Sequence, residues 1–149
     1  MADRYIRPGW FTKHVFNRLV AILTKAGVSV LGSRVLAVRG RTSGQWRTTP
    51  VNLLVYEGSR YLVSPRGTTQ WVRNVRAAGE GELRVGRRIE PFRAVEVADA
   101  DKPPILRAYL RRWRAEVGIF FKGVDANASD DDLLRIAPDH PAFRIETAT

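Results

Sequence analysis

Residues 46–64 read WRTTPVNLLVYEGSRYLVS. Trp46–Tyr56 is long and half apolar, and Arg60–Ser64 resumes the same character after Glu57-Gly58-Ser59. Val, Thr, Tyr and Leu on both flanks suit a pleated, half-buried surface. Two such runs around a short glycine turn predict a β-hairpin. A hairpin pairs its strands antiparallel, so the fold is expected to grow around an antiparallel sheet.

Upstream, Val35–Arg39 alternates and reads as a further strand. Phe11–Ala26 predicts a helix: Phe11, Val15, Leu19, Ile22 and Ala26 share one face, with Lys13, Arg18 and Lys25 off it. Downstream, Gln70–Ala78 predicts a short helix, with Thr68 or Thr69 as N-cap and Gly79 as its stop. Glu82–Val85 and Ile89–Val97 predict a second hairpin around Gly86-Arg87, where Pro91 implies an edge or a bulge. From Asp101 a helix is expected to about Val117, burying Ile105, Leu106, Tyr109, Leu110, Trp113 and Val117. Gly118–Gly123 reads as an apolar loop or short strand, Asp130–Ile136 as a helix capped by Ser129, and Ala142–Glu146 as a last strand. The order implies an α+β fold, its mostly antiparallel sheet curled into a barrel. With no repeat and no linker, residues 1–149 are expected to form one domain: helix about 11–26, barrel about 35–97, helices and last strand about 101–146.

The chain has 149 residues, no cysteine and a net charge of +10. Disulfides, thiol catalysis and Cys-bound zinc are excluded, and a reducing cytoplasm is the expected compartment. The start, MADRYIRPGW, lacks the apolar stretch of a secretory signal. Residues 1–93 hold 17 Lys/Arg against 5 Asp/Glu, and residues 94–149 hold 8 against 10. Any anionic partner is therefore expected on the first two-thirds. His14 and His140 have no metal-ligand spacing and read as structural, and Asp130-Asp131-Asp132 reads as a helix start; no metal site is expected. No G-x-S-x-G elbow or Walker A motif is present, so a catalytic side chain cannot be named and a cofactor would carry the chemistry.

Two basic, glycine-containing turns stand out. Residues 39–47, RGRTSGQWR, carry Arg39, Arg41 and Arg47; residues 64–71, SPRGTTQW, carry Arg66 and open a helix. Free N–H groups at a helix start favour anions. Together the turns would form one anionic pocket, with Trp71 a turn into the helix to cover an aromatic ring; a pair of solvated hairpin tips is the plainer outcome.

GRTSGQWRTTPVNLLVYEGSRYLVSPRG, followed by TQWVRNVRAAGEGELRVGRR, resembles the deazaflavin-dependent nitroreductase family, mostly actinobacterial split β-barrel proteins that use coenzyme F-420. The likeness runs from about Val35 to Val97, through G-R-x-[ST]-G-x-x-R and W-x-x-N-x-[RK]-A. F-420 is a flat, flavin-like ring with a phosphodiester and an oligoglutamate tail. The resemblance assigns Arg41, Thr42, Ser43, Gly44 and Arg47 to phosphate and tail, Thr48, Thr49 and Pro50 to the strand beside the ring, Ser64, Arg66 and Gly67 to a second contact turn, and Gln70, Trp71 and Asn74 to a closing helix. It implies hydride transfer from reduced F-420 to a quinone, an activated alkene or a nitro-aromatic. Thr42 stands where nitroreductase members often have Lys, and Asn52 where a substrate-side Tyr occurs. Tyr109, Trp113, Phe120 and Phe121 are the aromatics left to line a substrate pocket.

Other readings keep the charge and change the ligand. A flavin-mononucleotide (FMN) or haem split-barrel protein, or a cofactor carrier, would keep the fold. A nucleic-acid binder would use arginines beside Trp10, Trp46 and Trp71, although no RNP-like or helix-turn-helix pattern supports it. Phe11–Ala26 would either pack on the barrel, the expected outcome, or lie weakly on an anionic inner-membrane face. A dimer is compatible with the sequence.

Overall fold

The computed structural model describes residues 33–148; the expected helix over Phe11–Ala26 and His14 lie outside them. The elements are β1 (Ser33–Arg39), β2 (Trp46–Tyr56), β3 (Ser59–Val63), α1 (Gln70–Ala78), β4 (Glu80–Val85), β5 (Arg88–Glu96), α2 (Lys102–Val117), α3 (Asp130–Ile136) and β6 (Ala142–Thr147). The six strands close a barrel in the order β1-β2-β3-β6-β5-β4, antiparallel at every step. Closure leaves no sheet edge among them. The expected α+β antiparallel split barrel is what the chain forms.

The Tyr56–Ser59 turn explains the hairpin. Glu57 (φ 48°) and Gly58 (φ 78°) both take left-handed backbone, the pair that a twist-matched two-residue turn requires. Leu53 then faces Leu62, and Leu54 faces Tyr61. Strand alternation sorts the apolar residues into two layers. Leu36, Val38, Leu53, Leu62, Leu83, Phe92, Phe143 and Ile145 fill the barrel, joined by Val72 and Val75 of α1. Leu54, Val63 and Ala142 face outward and are covered by α2 and α3 through Ile105, Leu106, Tyr109, Leu110, Trp113, Leu133 and Ile136. Phe92 and Phe143 are almost wholly buried, each worth about 1.5–3 kcal/mol of burial. Gly81 is required beside Phe92: a Cβ there would stand 2.8 Å from the Ala37 carbonyl and 2.9 Å from the Phe92 ring.

Two expectations are corrected. The β4–β5 register runs without a bulge, from Glu80 opposite Arg93 to Val85 opposite Arg88. Pro91 is tolerated because it stands at the very end of the β5–β6 ladder, where its carbonyl accepts from Ala148 N–H at 3.2 Å and only the residue after β6 faces its missing N–H. Gly118–Phe121 is a 3-10 turn rather than a strand, with Phe121 buried at its end. Ser129 caps α3 as expected, its hydroxyl accepting from the Asp132 N–H at 3.1 Å.

The strand directions define two barrel mouths. The β1–β2 loop, the β3–α1 connection and α1 itself stand at the near mouth. The β2–β3 and β4–β5 turns and the end of β6 stand at the far mouth.

Candidate functional site at the near mouth

The β1–β2 loop is held by its own backbone. Gly40 N–H donates to Gln45 O (2.7 Å) and Gly44 N–H to Gly40 O (2.9 Å), with Gly44 at φ 71°. Ser43 Oγ accepts from Gln45 N–H at 3.2 Å. Arg39 Nη1 donates to Gly44 O at 3.1 Å. Trp46 lies between two guanidiniums, Arg39 at 4.2 Å from its ring centre and Arg84 at 5.2 Å. Those cation–π contacts give Arg39 a local task and orient the exposed indole.

Arg41 joins the loop to α1. Its Nη1 donates to Gln70 Oε1 and to Asn74 Oδ1, both at 2.9 Å, and its backbone N–H donates to Asn74 Oδ1 at 3.2 Å. Asn74 is 5% exposed, so its carboxamide serves the loop. Gln70 and Asn74 sit four residues apart on one helix face. Trp71, half-buried, rests on the barrel core with its ring 5.9 Å from Phe143. Arg47 makes no hydrogen bond or ion pair with a described residue. Thr42, Ser43, Gly44 and Arg47 are exposed. Thr49 lies opposite Leu36 on the inner face, whereas Thr48 and Pro50 lie opposite Ala37 and Val35 on the outer face. The structure thus divides these three between two sides of β2.

The second turn is built more tightly. Ser64 is fully buried, and its hydroxyl donates to Gly67 O at 2.5 Å. Gly67 takes φ 88°, which a side chain would strain. Ser64 N–H donates to Pro141 O (2.8 Å) and Thr69 N–H to Gly67 O (3.0 Å). Behind this turn His140, 2% exposed, stacks on Phe121 at 4.0 Å with an 11° ring angle, its Nδ1 3.4 Å from Ser64 O. Burial pushes the imidazole pKa down to about 4, against a smaller upward pull from the Ser64 and Pro65 carbonyls. Thr69 opens α1 without a side-chain cap; its hydroxyl is buried and has no hydrogen-bond partner among the described residues.

The sequence-derived candidates are only partly brought together. Arg41, Gln70 and Asn74 are in contact. Arg47, Ser64, Arg66, Gly67 and Trp71 belong to the same mouth. Tyr109, Trp113 and Phe121 are at most 1% exposed within the outer core, with Phe120 packed at its margin. Asn52 faces that layer and hydrogen-bonds Tyr109, whose pKa is driven up chiefly by burial. These aromatics act as core side chains because α2 turns its apolar stripe onto the barrel wall. Thr69 and His140 were absent from the sequence-derived candidates; the T-T before a helix and the H-P before a strand were the visible signals. Among the described residues no group of three or more metal-ligating side chains gathers, and no helix is long and apolar enough to cross a membrane.

The site's residues fit a coenzyme with a flat ring and an anionic tail. Among the described residues Arg47 has no carboxylate partner and the Thr69 hydroxyl at the helix start has no hydrogen-bond partner, and Trp71 provides an aromatic wall. An F-420-H2-dependent reductase is similar in structure, with 17% identity, TM-score 0.51, and 77% of this chain and 94% of that chain covered. So is a domain-swapped dimer at 17% identity and TM-score 0.54, covering 91% and 98%. A protein of unknown function from Agrobacterium tumefaciens aligns at 16% identity and TM-score 0.57, covering 99% of this chain and 60% of that one. At these identities the likeness concerns the fold. No curated protein matches the chain. The F-420H(2)-dependent quinone reductase family profile matches residues 14–126, well over half the chain. The chain belongs to that family and is an F-420-dependent reductase.

Proposed function

We propose that the near mouth holds reduced F-420 against a quinone. Arg47 and Arg66 bind the phosphate and carboxylates of the tail, through charge-assisted bonds that suit both groups. Exposed Thr42 and Ser43 add hydroxyls, and the Gly44 turn lets the tail approach the backbone. Arg41 acts differently. Bound to Gln70 and Asn74, it fixes the loop against α1 and so sets the distance between the two contact turns. Trp71 and β2 around Thr48, Thr49 and Pro50 form the walls beside the ring. Ser64 and Gly67 hold the second turn. When bound, the reduced coenzyme supplies a hydride from C5.

The observation that carries the choice of acceptor is the chemistry of the side chains at this mouth. Among the described residues named above they are Arg, Thr, Ser, Gln, Asn and Trp, types that rarely serve as a general acid. A quinone needs no general acid: one hydride and one proton make the hydroquinone, and water can protonate its oxygen. An alkene must be protonated at carbon, and a nitro group must lose water. The protein's part is positioning and exclusion of competing reactions. Single-turnover oxidation of reduced F-420 tests this with a water-soluble quinone, an activated alkene and a nitro-aromatic. The quinone should react at least about tenfold faster, roughly 1.4 kcal/mol in barrier. Equal or faster turnover of either other acceptor would overturn the assignment.

A further inference from the structure

His140 is a buried titratable side chain that the coenzyme reading leaves without a task. Its ring stacks on Phe121 of the outer core, with centres 4.0 Å apart and an 11° tilt. A phenylalanine would fill such a slot without the cost of dehydrating two ring nitrogens. Burial, aided by the charges of Lys102 and Lys122, pushes the imidazole pKa down to about 4, so the ring is neutral at neutral pH. A neutral imidazole carries one proton. Nδ1 faces the Ser64 carbonyl at 3.4 Å, and the Pro65 carbonyl is a further partner. Carbonyls only accept, so Nδ1 holds the proton and the ring donates to the turn. The ring's own place is fixed from behind. His140 N–H donates to Ala137 O at 3.1 Å. The buried Lys102 Nζ donates to the same oxygen at 2.9 Å and to Asp99 at 2.7 Å.

The chain next to His140 holds the same turn. Pro141 O accepts from Ser64 N–H at 2.8 Å, while the Ser64 hydroxyl donates to Gly67 O at 2.5 Å. Ser64 thus has its N–H, hydroxyl and carbonyl engaged, and the N–H and carbonyl are served by residues 140 and 141. β3 ends at Val63, so these contacts take over where the strand ladder stops. Arg66 lies inside the span they fix, and Thr69 N–H closes on Gly67 O at 3.0 Å where α1 begins. We propose that His140 is a positioning residue for F-420: acting through Ser64, it holds the turn at residues 64–67 in the shape that presents Arg66 and the start of α1 to the anionic tail. The inference rests on the near-mouth reading above. A turn fixed before binding loses less freedom when the ligand arrives, and a hydrogen bond from a buried ring behind it is the support that a precise contact needs.

Two substitutions separate the hydrogen bond from the stack. His140→Phe keeps a buried ring against Phe121 and removes the donor. His140→Asn removes the ring and keeps an amide N–H as far along the side chain as Nδ1. Each full-length variant is titrated with F-420 by fluorescence and unfolded thermally, with Arg47→Ala as the control for the coenzyme site. The phenylalanine variant should melt close to the parent chain yet bind F-420 about three- to tenfold more weakly, the scale of one neutral hydrogen bond. Its kcat with a quinone at saturating coenzyme should be unchanged, because the tail contact is loosened and the reacting ring is not. The asparagine variant should melt lower and recover most of the parent's affinity. His140→Met gives the same reading as His140→Phe should the latter fail to fold. Parental affinity in the phenylalanine variant, with Arg47→Ala weakened, would overturn this inference alone. So would an equal loss of affinity in the asparagine variant, which would make His140 a packing residue. Parental affinity in Arg47→Ala and Arg66→Ala alike would overturn the near-mouth reading and this inference with it.

Discussion

At the near mouth, Arg39 and Arg84 hold Trp46, and Arg41 is engaged by Gln70 and Asn74. Arg47 meets no carboxylate among the described residues. At the far mouth, Arg60 grips Glu90 while Arg34 and Arg88 press on the same carboxylate. The two ends use similar charge in different ways. At the near end, neutral partners fix the β1–β2 loop and leave Arg47 exposed, while the carboxylates there, Glu82 and Glu96, are taken by Arg84 and Arg76. At the far end, opposite charge fixes the strands and like charge accumulates around it. Neutral partners leave a loop's positive potential intact for a ligand, whereas a carboxylate cancels part of it. A net charge of +10 therefore says less about binding than does the kind of group each arginine touches.

The strongest break in this comparison is made beneath the near mouth. Phe143 is 2% exposed and supports Trp71 at 5.9 Å. Phe143→Ala should cost about 3–5 kcal/mol of stability, the usual penalty for emptying a large buried aromatic site. The denaturant midpoint should fall with little change in slope. A loss below about 1 kcal/mol would mean that the barrel interior collapses around the gap and that α1 is held by other contacts.

Acid should separate the two mouths. His140 has its folded pKa depressed to about 4, against an unfolded value near 6.5. Between these values the unfolded chain binds a proton that the fold refuses. The His140 contribution is therefore complete above about pH 6.5 and lost as pH falls toward 4, on the order of 3 kcal/mol in all. Glu90, also depressed, contributes above its unfolded value and is lost only as pH falls through its lower folded value. Urea unfolding at pH 7, 5.5 and 4.5 should show most of the loss before the far mouth is affected. His140→Gln should flatten that part of the profile, and an unaltered slope in this variant would assign the loss elsewhere.

Much of this architecture was readable before the fold was seen, because its signals are local. The β2–β3 hairpin rests on a two-residue turn and alternation within nineteen residues, and α1 on periodicity closed by Gly79, whose N–H returns to Val75 O at 2.7 Å. The candidate site was readable as two basic turns, but their coupling was not. Arg41 and Asn74 are 33 residues apart, and nothing local tells that an arginine will bind an amide in preference to a phosphate. Tyr109, Trp113 and Phe121 illustrate the converse difficulty. An aromatic stripe on a helix has the same composition whether it lines a pocket or fills a core, and only the wall opposite decides. The far mouth was hidden because its four charged residues come from three strands, and each looks like an ordinary surface charge.

Affinity for the coenzyme should discriminate between the mouths next. Arg47→Ala should weaken F-420 binding by roughly 1.5–3 kcal/mol, the range for a hydrogen bond to a charged group, with unfolding unchanged, since Arg47 supports nothing in the described fold. Fluorescence titration reads the dissociation constant directly. An unaltered constant in Arg47→Ala and Arg66→Ala alike would remove the tail from this loop.

The smallest expected effect is the most diagnostic, because stability and affinity should move in opposite directions. Thr69 stands at the start of α1 with no capping bond and a buried hydroxyl that has no partner among the described residues. Valine keeps the branched shape and removes the polar group. A buried hydroxyl without a partner costs stability, so Thr69→Val should leave the fold as stable as before or raise it by up to about 1 kcal/mol. A threonine that caps its helix would instead lose about 1 kcal/mol on such a change. If the hydroxyl is kept for the coenzyme, F-420 should bind several-fold more weakly to the valine variant, about 1 kcal/mol for a single neutral hydrogen bond. Thermal unfolding with and without F-420 measures both: the variant should melt at the same or a higher temperature alone, and gain less from the coenzyme than the parent chain does. A variant that melts lower alone, and gains as much from F-420, would make Thr69 a structural residue and restrict the near mouth's ligand contacts to its exposed loop.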